Sequence, residues 1–440
     1  MENVGRLTCV DDIILIVFCV LILSLTIFMF SKENTDYISI SVLGAIVCAN
    51  FVMMQPAHAT FNVIDTIDMN AMIFVFSMQL VMTVIDQENV FQYVTVKMIR
   101  WTKGDQRKFF YVTCILGTLM TALVGDVIVA LIFVPLIIKT CRILEIPSGT
   151  YTLGLTISII TGLVMTPFSS GENIILASAF NLDAGFFAIY LMPLALGLMF
   201  LTVFLLDHFT LRKEQKVAEE RKLLLLDLLD ASVVISDRRK FYIVSVGFIA
   251  LFVCLFAFPG VPPFIFALVI GAILILATGK KMGNIFKHIQ WDVIFFYICL
   301  FIIIGCLVEL GLMNAIASGI LSIIGGNIVF ASILVLLLAC IVTTPLLNSP
   351  VVLMFIPIVK YLEASGLPMI PLVVAMILGI QLGGLMPQGS TCEVLALDIS
   401  KKFHVPNLSY KRMLKVGAAF GGMNIAWSLL FVTILSCFFL

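Results

Sequence analysis

The sequence predicts an all-α polytopic membrane protein made of two inverted repeats, with about ten transmembrane helices, two opposed re-entrant hairpins and two broken helices. Composition is the first observation: 61% of the residues are hydrophobic and 12% are charged, about half the charged share of a soluble domain. The second observation is that long apolar segments are interrupted by Gly, Pro, Ser and Asn at matching places in the two halves. The third is the clustering of Lys and Arg between apolar segments, which indicates membrane orientation.

Eight apolar runs have about the length that an unbroken transmembrane helix needs. They cover residues 13–30, 38–54, 70–86, 184–206, 241–258, 264–278, 292–313 and 413–438. The first run follows two aspartates, Asp11 and Asp12, rather than a basic stretch. We therefore interpret it as a retained helix and not as a cleaved signal peptide.

Two apolar segments, 109–142 and 329–361, are too long for one helix and carry a polar break near the centre. Basic residues precede and close the first segment, which places both of its ends on the cytoplasmic face. It should therefore be a re-entrant hairpin with Gly125 and Asp126 at its tip. The second segment should enter from the opposite face, with Asn348 and Ser349 at its tip.

Two further segments, 149–182 and 367–400, are interrupted by runs rich in small and polar residues. The first interruption contains Ser169, Ser170, Gly171, Glu172 and Asn173. The corresponding residues of the second are Gly389, Ser390, Thr391 and Glu393. Interrupted membrane segments at matching positions in two halves are typical of the binding site of a transporter. Together with the two hairpin tips, these residues are the predicted substrate or ion site.

The distribution of basic residues predicts the domain organisation. A first transmembrane repeat covers residues 1–206, a cytoplasmic linker 207–240, and a second inverted repeat 241–440. With both termini outside, only Arg6 and Lys360 of the 26 Lys and Arg residues fall on the outer side. We expect a multi-pass protein of a prokaryotic inner (plasma) membrane.

Asp126, Glu172 and Glu393 are the acids placed at these breaks. An ionised carboxylate at the bilayer centre costs about 2.5–3.5 kcal/mol or more, so such a residue faces a hydrated site or binds a proton. For Glu172 and Glu393 the alternative is a carboxylate that caps the following helix. Basic residues are absent from the breaks, which argues against a multiply charged anion as the transported solute.

Other function classes find little support in the sequence. The four histidines are scattered and the cysteines form no CxxC pair, so we expect no metal site and no cofactor. There is no GxxxxGK[ST] run for ATP and no HExxH or paired intramembrane aspartate motif of a protease, so we expect no enzymatic activity. No basic surface domain is present to bind nucleic acid.

Residues 292–296 and 307–312 resemble the signature that follows the linker in the ArsB/NhaD permeases, and residues 67–70 and 84–91 are similar to its weaker first-half partner. This family belongs to the ion transporter superfamily of arsenite pumps, sodium/proton antiporters and citrate or dicarboxylate carriers. The resemblance implies an elevator-type transporter with a moving core, and elevator-type relatives are frequently homodimers.

The site departs from the pattern of that family at three places. At the first tip, Gly125-Asp126 stands where the family usually carries an Asp-Asn pair, and at the second tip Leu347 precedes Asn348. The final Asn of the broken-helix run is kept at Asn173, whereas Glu393 takes its place in the second copy.

Three substrates remain open from the sequence. The leading hypothesis is a proton-coupled antiporter of a small inorganic cation such as sodium, because the acids at the breaks have no basic partners. Efflux of arsenite or antimonite is the second, and a citrate or dicarboxylate-type anion carrier is the third.

Overall fold

The computed structural model describes residues 10–30, 36–209, 235–258, 260–344, 346–383, 390–405 and 407–439, together with Leu211 and Val233. All the regular elements in these ranges are helices, which confirms the predicted all-α class. Most of the linker 207–240 and the predicted site residue Gly389 lie outside the described residues, as does the side chain of Thr391.

The first half contains nine helices of the described chain, numbered here α1 to α9. Their bounds are Val10–Phe30 (α1), Tyr37–Met53 (α2), Met69–Gln87 (α3), Val90–Trp101 (α4), Gln106–Val124 (α5), Asp126–Ile143 (α6), Ser148–Gly162 (α7), Gly171–Ala179 (α8) and Ala184–Phe209 (α9). Helix α9 includes a π-helical segment, Phe187–Leu191. Two 3₁₀ turns, Pro56–His58 and Val63–Thr66, join α2 to α3.

The second half repeats this order in helices α10 to α18. Their bounds are Arg238–Ala257 (α10), Pro263–Thr278 (α11), Trp291–Glu309 (α12), Leu312–Ile324 (α13), Ile328–Thr343 (α14), Asn348–Ala364 (α15), Met369–Leu382 (α16), Thr391–Lys402 (α17) and Tyr410–Cys437 (α18). A short helix, Met282–Phe286, precedes α12. Each helix of the first half therefore has a counterpart nine helices later.

Seven helices of the described chain are long and apolar enough to cross a membrane by length and composition: α1, α3, α5, α9, α10, α12 and α18. Five shorter helices, α2, α11, α13, α14 and α16, are also apolar. Large apolar side chains such as Leu21, Leu43 and Leu276 are more than half exposed on the outside of the bundle, as expected for a protein surrounded by lipid. Helices occur at all eight predicted unbroken spans and at both interrupted pairs.

The contacts between helices repeat as the helix order does. Helix α3 packs against α11, and its counterpart α12 packs against α2. Helix α5 packs against α7 as α14 packs against α16, while α6 packs against α17 and α15 against α8. The two halves are thus interleaved: the helices before the hairpins form one group, the scaffold (α1–α4 and α10–α13). The hairpins and broken helices form the other, the core (α5–α8 and α14–α17).

Close packing between each broken helix and its hairpin depends on glycine. A Cβ atom on Gly162 of α7 would lie 2.4 Å from the Thr118 carbonyl oxygen of α5. A Cβ atom on Gly383, at the end of α16, would lie 2.8 Å from Cys340 Cα of α14. Any side chain at either position would push the break away from the hairpin, so these glycines place the interrupted backbone against the tips.

Two of the eighteen numbered helices of the described chain were not predicted from the sequence. Helices α4 and α13 are counterparts of 12 and 13 residues, each located just before a hairpin. Both are too short to span the bilayer. Each has one buried face and one exposed face, and each contacts both a scaffold helix and the following hairpin. They therefore connect the scaffold to the core.

Candidate functional site

The first hairpin tip lies against the first broken helix. Helix α5 ends at Val124, Gly125 adopts φ 97°, and α6 begins at Asp126. A left-handed φ of this size strains any residue other than glycine. A Cβ atom on Gly125 would also lie 3.3 Å from the Ser169 carbonyl oxygen. This glycine therefore sets Asp126 at the start of α6, beside the break between α7 and α8.

The interrupted backbone of residues 163–170 is held by two buried side chains. Asn173 Nδ2 donates hydrogen bonds to the carbonyl oxygens of Leu163 (2.6 Å) and Thr166 (3.1 Å). Ser169 Oγ donates to the same two carbonyls, at 2.6 Å and 2.8 Å. Carbonyls left free by an unwound helix are thereby satisfied inside the protein, as a membrane requires. Asn173 and Ser169, both predicted as site residues, therefore stabilise the backbone of the break.

The second hairpin tip reaches the same broken helix from the other side. Ser349 Oγ donates to Glu172 Oε1 at 2.5 Å. Asn348 Nδ2 donates to Gln381 Oε1 at 3.0 Å, and Gln381 Nε2 donates in turn to Asn173 Oδ1 at 2.8 Å. The amide of Gln381, which is 3% exposed, therefore joins the second tip, the second broken helix and the first broken helix.

A cavity of about 190 Å³ lies where these elements meet, and we call it the central cavity. Seven of the predicted site residues line it: Gly125, Asp126, Ser170, Gly171, Glu172, Asn348 and Ser349. The described residues that line it include no Lys or Arg. The N-termini of α6, α8 and α15 all border this space, so backbone N–H groups and two carboxyl groups face one another across it.

Tyr297 of the scaffold helix α12 closes one wall of the central cavity. It is 3% exposed. A Cβ atom on Gly171 would lie 2.6 Å from the Tyr297 hydroxyl oxygen, so only glycine at the start of α8 allows this approach. Ser349 Oγ lies 3.4 Å from the same hydroxyl, within hydrogen-bond distance. The scaffold and the core thus meet directly at the site.

Glu393 occupies a separate position. It lies in the first turn of α17, which packs against α6, and it is 2% exposed but does not line the central cavity. Ser390 Oγ and Cys392 Sγ lie 3.0 Å apart beside it, and both are buried. The second broken helix therefore places its carboxyl group behind the first tip and inside the core.

Sequence reasoning missed Gln381 and Tyr297. Gln381 carries the only polar side chain of α16, and a lone amide in an apolar helix was a usable signal. Tyr297 lies in a helix that is apolar throughout most of its length, and only the fold brings its hydroxyl to the break. No group of three or more His, Cys, Asp or Glu side chains that could hold a metal ion occurs among the described residues.

The family described as citrate transporter (CitMHS) matches residues 13–436. An uncharacterized transporter of Mycobacterium tuberculosis, Rv2684, is 24% identical over 408 residues, 91% of this chain and 94% of the relative. The arsenical pump membrane protein of Escherichia coli is 24% identical over 375 residues, 82% of this chain and 84% of the relative. These matches confirm the resemblance to permeases of the ion transporter superfamily, and the relatives are transporters rather than enzymes.

Two solved structures share the fold at low sequence identity. The YdaH transporter of Alcanivorax borkumensis superposes with a TM-score of 0.63 at 12% identity, covering 97% of this chain and 98% of that one. MtrF of Neisseria gonorrhoeae, described within a class of antimetabolite efflux pumps, has a TM-score of 0.59 at 9% identity, covering 98% and 96%. Both are membrane transporters, in agreement with a multi-pass integral membrane protein.

Proposed function

This chain belongs to the CitMHS citrate transporter family, and we propose that, as a secondary membrane transporter of that family, it exchanges a small inorganic cation such as sodium for protons. One observation carries the proposal: Asp126 and Glu172 line the same central cavity, and the described lining includes no Lys or Arg. Two carboxyl groups that lack a basic partner in a membrane require a cation or a proton to neutralise them.

The groups around the cavity suit a hard cation. Glu172 and Asp126 supply carboxylate oxygens, and Ser170, Ser349 and Asn348 supply hydroxyl and amide oxygens. Oxygen ligands of this kind are those that hard cations prefer in proteins. Protons and cations would compete for the same carboxylates, and such competition is what couples the two fluxes in an antiporter.

We assign proton binding to Asp126 and Glu393, and cation binding to Asp126 and Glu172. Asp126 belongs to both sets because it lines the central cavity and begins α6, the helix against which the Glu393 helix packs. Glu393 lies outside the cavity lining and is 2% exposed, so the space around it admits a proton more readily than a hydrated ion.

Transport would follow an elevator mechanism. The repeated helix contacts support two inverted repeats, 1–206 and 241–440, in which a core of hairpins and broken helices moves against the scaffold. In this proposal the linker 207–240 lies in the cytoplasm and both termini lie outside, as the positive-inside rule predicts. The functional unit would be a homodimer in a prokaryotic inner membrane.

Arsenite or antimonite efflux is the second candidate, favoured by the similarity to the arsenical pump membrane protein of Escherichia coli. A neutral oxyacid would bind through its hydroxyl groups to Ser349, Asn348 and Glu172 without a basic partner. Citrate, which the family description names, is the third candidate. Two carboxyl groups in the cavity disfavour a free carboxylate anion, because like charges repel strongly at low dielectric.

Proton flux in proteoliposomes tests the proposal. The purified protein is reconstituted with an internal pH dye, a pH gradient is imposed, and sodium, lithium, potassium, arsenite and citrate are added in turn. Sodium or lithium should dissipate the pH gradient in proteoliposomes with the wild-type protein, and this effect should be lost in Asp126→Asn. Asp398→Asn is the matched control, because this acid of α17 pairs with Lys402 (2.7 Å) away from the cavity.

If arsenite alone dissipated the pH gradient, the proposed substrate would be an oxyacid and not a cation. If none of the solutes dissipated the pH gradient, although the protein was shown to be folded, proton-coupled exchange would be contradicted. An Asp126→Asn variant that exchanges sodium as fast as the wild type would remove Asp126 from the pathway.

A further inference from the structure

A second cavity, about 540 Å³, lies between the scaffold and the core, and we call it the distal cavity. Gly305 and Glu309 of α12 line it on the scaffold side. Ile175 of α8 and Leu353 and Lys360 of α15 line it on the core side. The same three helices, α8, α12 and α15, therefore border both cavities.

The two cavities follow one face of α12. Val293 and Tyr297 line the central cavity, and Phe301, Gly305 and Val308 line the distal cavity. Residues three or four apart share a helix face. One continuous stripe of the scaffold helix thus faces first one cavity and then the other.

The core helices α8 and α15, opposite α12, also line first the central cavity and then the distal cavity. Along α8, Glu172 lines the central cavity and Ile175 the distal one. Along α15, Ser349 lines the central cavity and Leu353 the distal one. The cavities are therefore consecutive compartments of a single cleft between scaffold and core, separated by about one helical turn.

Two aromatic rings of the scaffold stand at the boundary. Tyr297 and Phe301 are one turn apart on α12, and each lines a different compartment. Phe301 lines the distal cavity together with Ile175 and Leu353, which are almost fully buried. We propose that Tyr297 and Phe301 form the partition that closes the cleft between the two cavities and keeps a continuous file of water from crossing the protein.

This inference rests on the proposed function only in treating the cleft as the route of the solute. Apolar constrictions close a pathway because water leaves them, and protons and ions cross only where water is continuous. The Tyr297 hydroxyl has a distinct role: with Gly171 and Ser349 it joins the partition to the core. The rings should therefore determine leak, and the hydroxyl should determine how the core is held.

Passive proton flux tests the partition without any substrate. Proteoliposomes containing the full chain and a pH dye receive an external pH jump in choline chloride, with sodium, lithium, potassium, arsenite and citrate all left out. In Tyr297→Ala/Phe301→Ala we expect proton leak to rise about tenfold, which corresponds to removing about 1.4 kcal/mol from the barrier. Tyr297→Phe keeps the ring and should leak no more than the wild type.

The matched control is Tyr242→Ala/Phe295→Ala, at two side chains exposed on the outside of the bundle. It removes one tyrosine and one phenylalanine ring from the scaffold, at positions that line neither cavity. If the partition variant does not fold, Ile175→Ala/Leu353→Ala opens the same boundary from the core side and should raise the leak. Wild-type leak in a folded double variant, or an equal rise in the control, would overturn the proposal.

Failure of the proposed function gives a different result. If the wild-type protein moved none of the tested solutes while the variant without the rings leaked protons, the result would support the partition and contradict sodium/proton exchange.

Discussion

The two broken helices have corresponding positions in the fold but differ in how their polar groups are paired. In the first, Asn173 and Ser169 satisfy the interrupted backbone, and Glu172 accepts a hydrogen bond from Ser349. In the second, Glu393 stands where the first has Asn173, is 2% exposed, and makes no hydrogen bond to another described residue. A neutral amide in one repeat is thus replaced by an acid in the other.

In the proposed exchange mechanism, this difference would give the two repeats different roles. A paired, cavity-lining carboxyl such as Glu172 has a preorganised partner and room for a solute beside it. A buried carboxyl among few polar neighbours is stable chiefly in its protonated form, because burial disfavours the charged state. In this account the first broken helix and the second tip bind the solute, the second broken helix carries the proton, and Asp126 of the first tip takes part in both steps.

The largest effect should come from exchanging the acids for their amides. Glu172→Gln removes a charged ligand and should reduce sodium-driven flux at least about tenfold at every pH, since a charge-assisted contact is worth about 1.5–3 kcal/mol. Glu393→Gln should retain sodium binding and weaken the pH dependence of transport, because Asp126 still binds protons. Apparent KM for sodium, measured across pH, separates the two variants.

The sign of the pH effect follows from competition. Lower pH protonates the carboxyl groups and should raise the apparent KM of the wild type for sodium, and this slope should flatten in Glu393→Gln. If the apparent KM for sodium depended on pH in the same way in Glu172→Gln and Glu393→Gln, the two acids would not have the different roles proposed for them.

Gln381→Ala should have a smaller effect on flux and a clear effect on stability. It removes the amide that joins Asn348 to Asn173 and leaves buried polar groups without their partner, at a cost of about 1–3 kcal/mol each. We expect a lower unfolding temperature in detergent and a weaker sodium affinity. Gln381→Glu keeps the acceptor for Asn348 and is the informative second variant. Unchanged stability in Gln381→Ala would show that the two breaks are not joined through this side chain.

The smallest predicted effect concerns the contact between core and scaffold. In Gly171→Ala, the new Cβ atom would lie 2.6 Å from the Tyr297 hydroxyl oxygen, so the two elements must separate slightly. Transport should fall a few-fold, and Tyr297→Phe in the same chain should restore part of it, as expected for two residues in direct contact. Additive effects of the two substitutions would contradict this contact.

The sequence was most informative about the helix breaks, where small and polar residues interrupt long apolar segments. Breaks at Gly125, Asn348 and Gly171 were predictable because small and polar residues cluster there, at matching places in the two halves, inside otherwise apolar segments. The structure ends or begins a helix beside each of them. The short helices α4 and α13 were not predicted, because a length criterion based on bilayer thickness does not detect them.

The central cavity could be predicted only in part. Charge and helix breaks identified Asp126 and Glu172, whereas Tyr297 joins the site through a scaffold helix that is distant in sequence. Ser169 and Asn173 were predicted as ligands but hydrogen-bond the unwound backbone, a role that depends on carbonyl positions that no pattern of residues reveals.

Proton release on sodium binding tests the central claim most directly. Purified protein in weakly buffered detergent solution receives sodium chloride while a pH indicator is followed, with choline chloride as the control for ionic strength. If sodium and protons compete for the same carboxyl groups, sodium should acidify the medium in the wild type, less in Glu393→Gln, and not at all in Asp126→Asn. Sodium binding detected by calorimetry without any proton release would contradict the account.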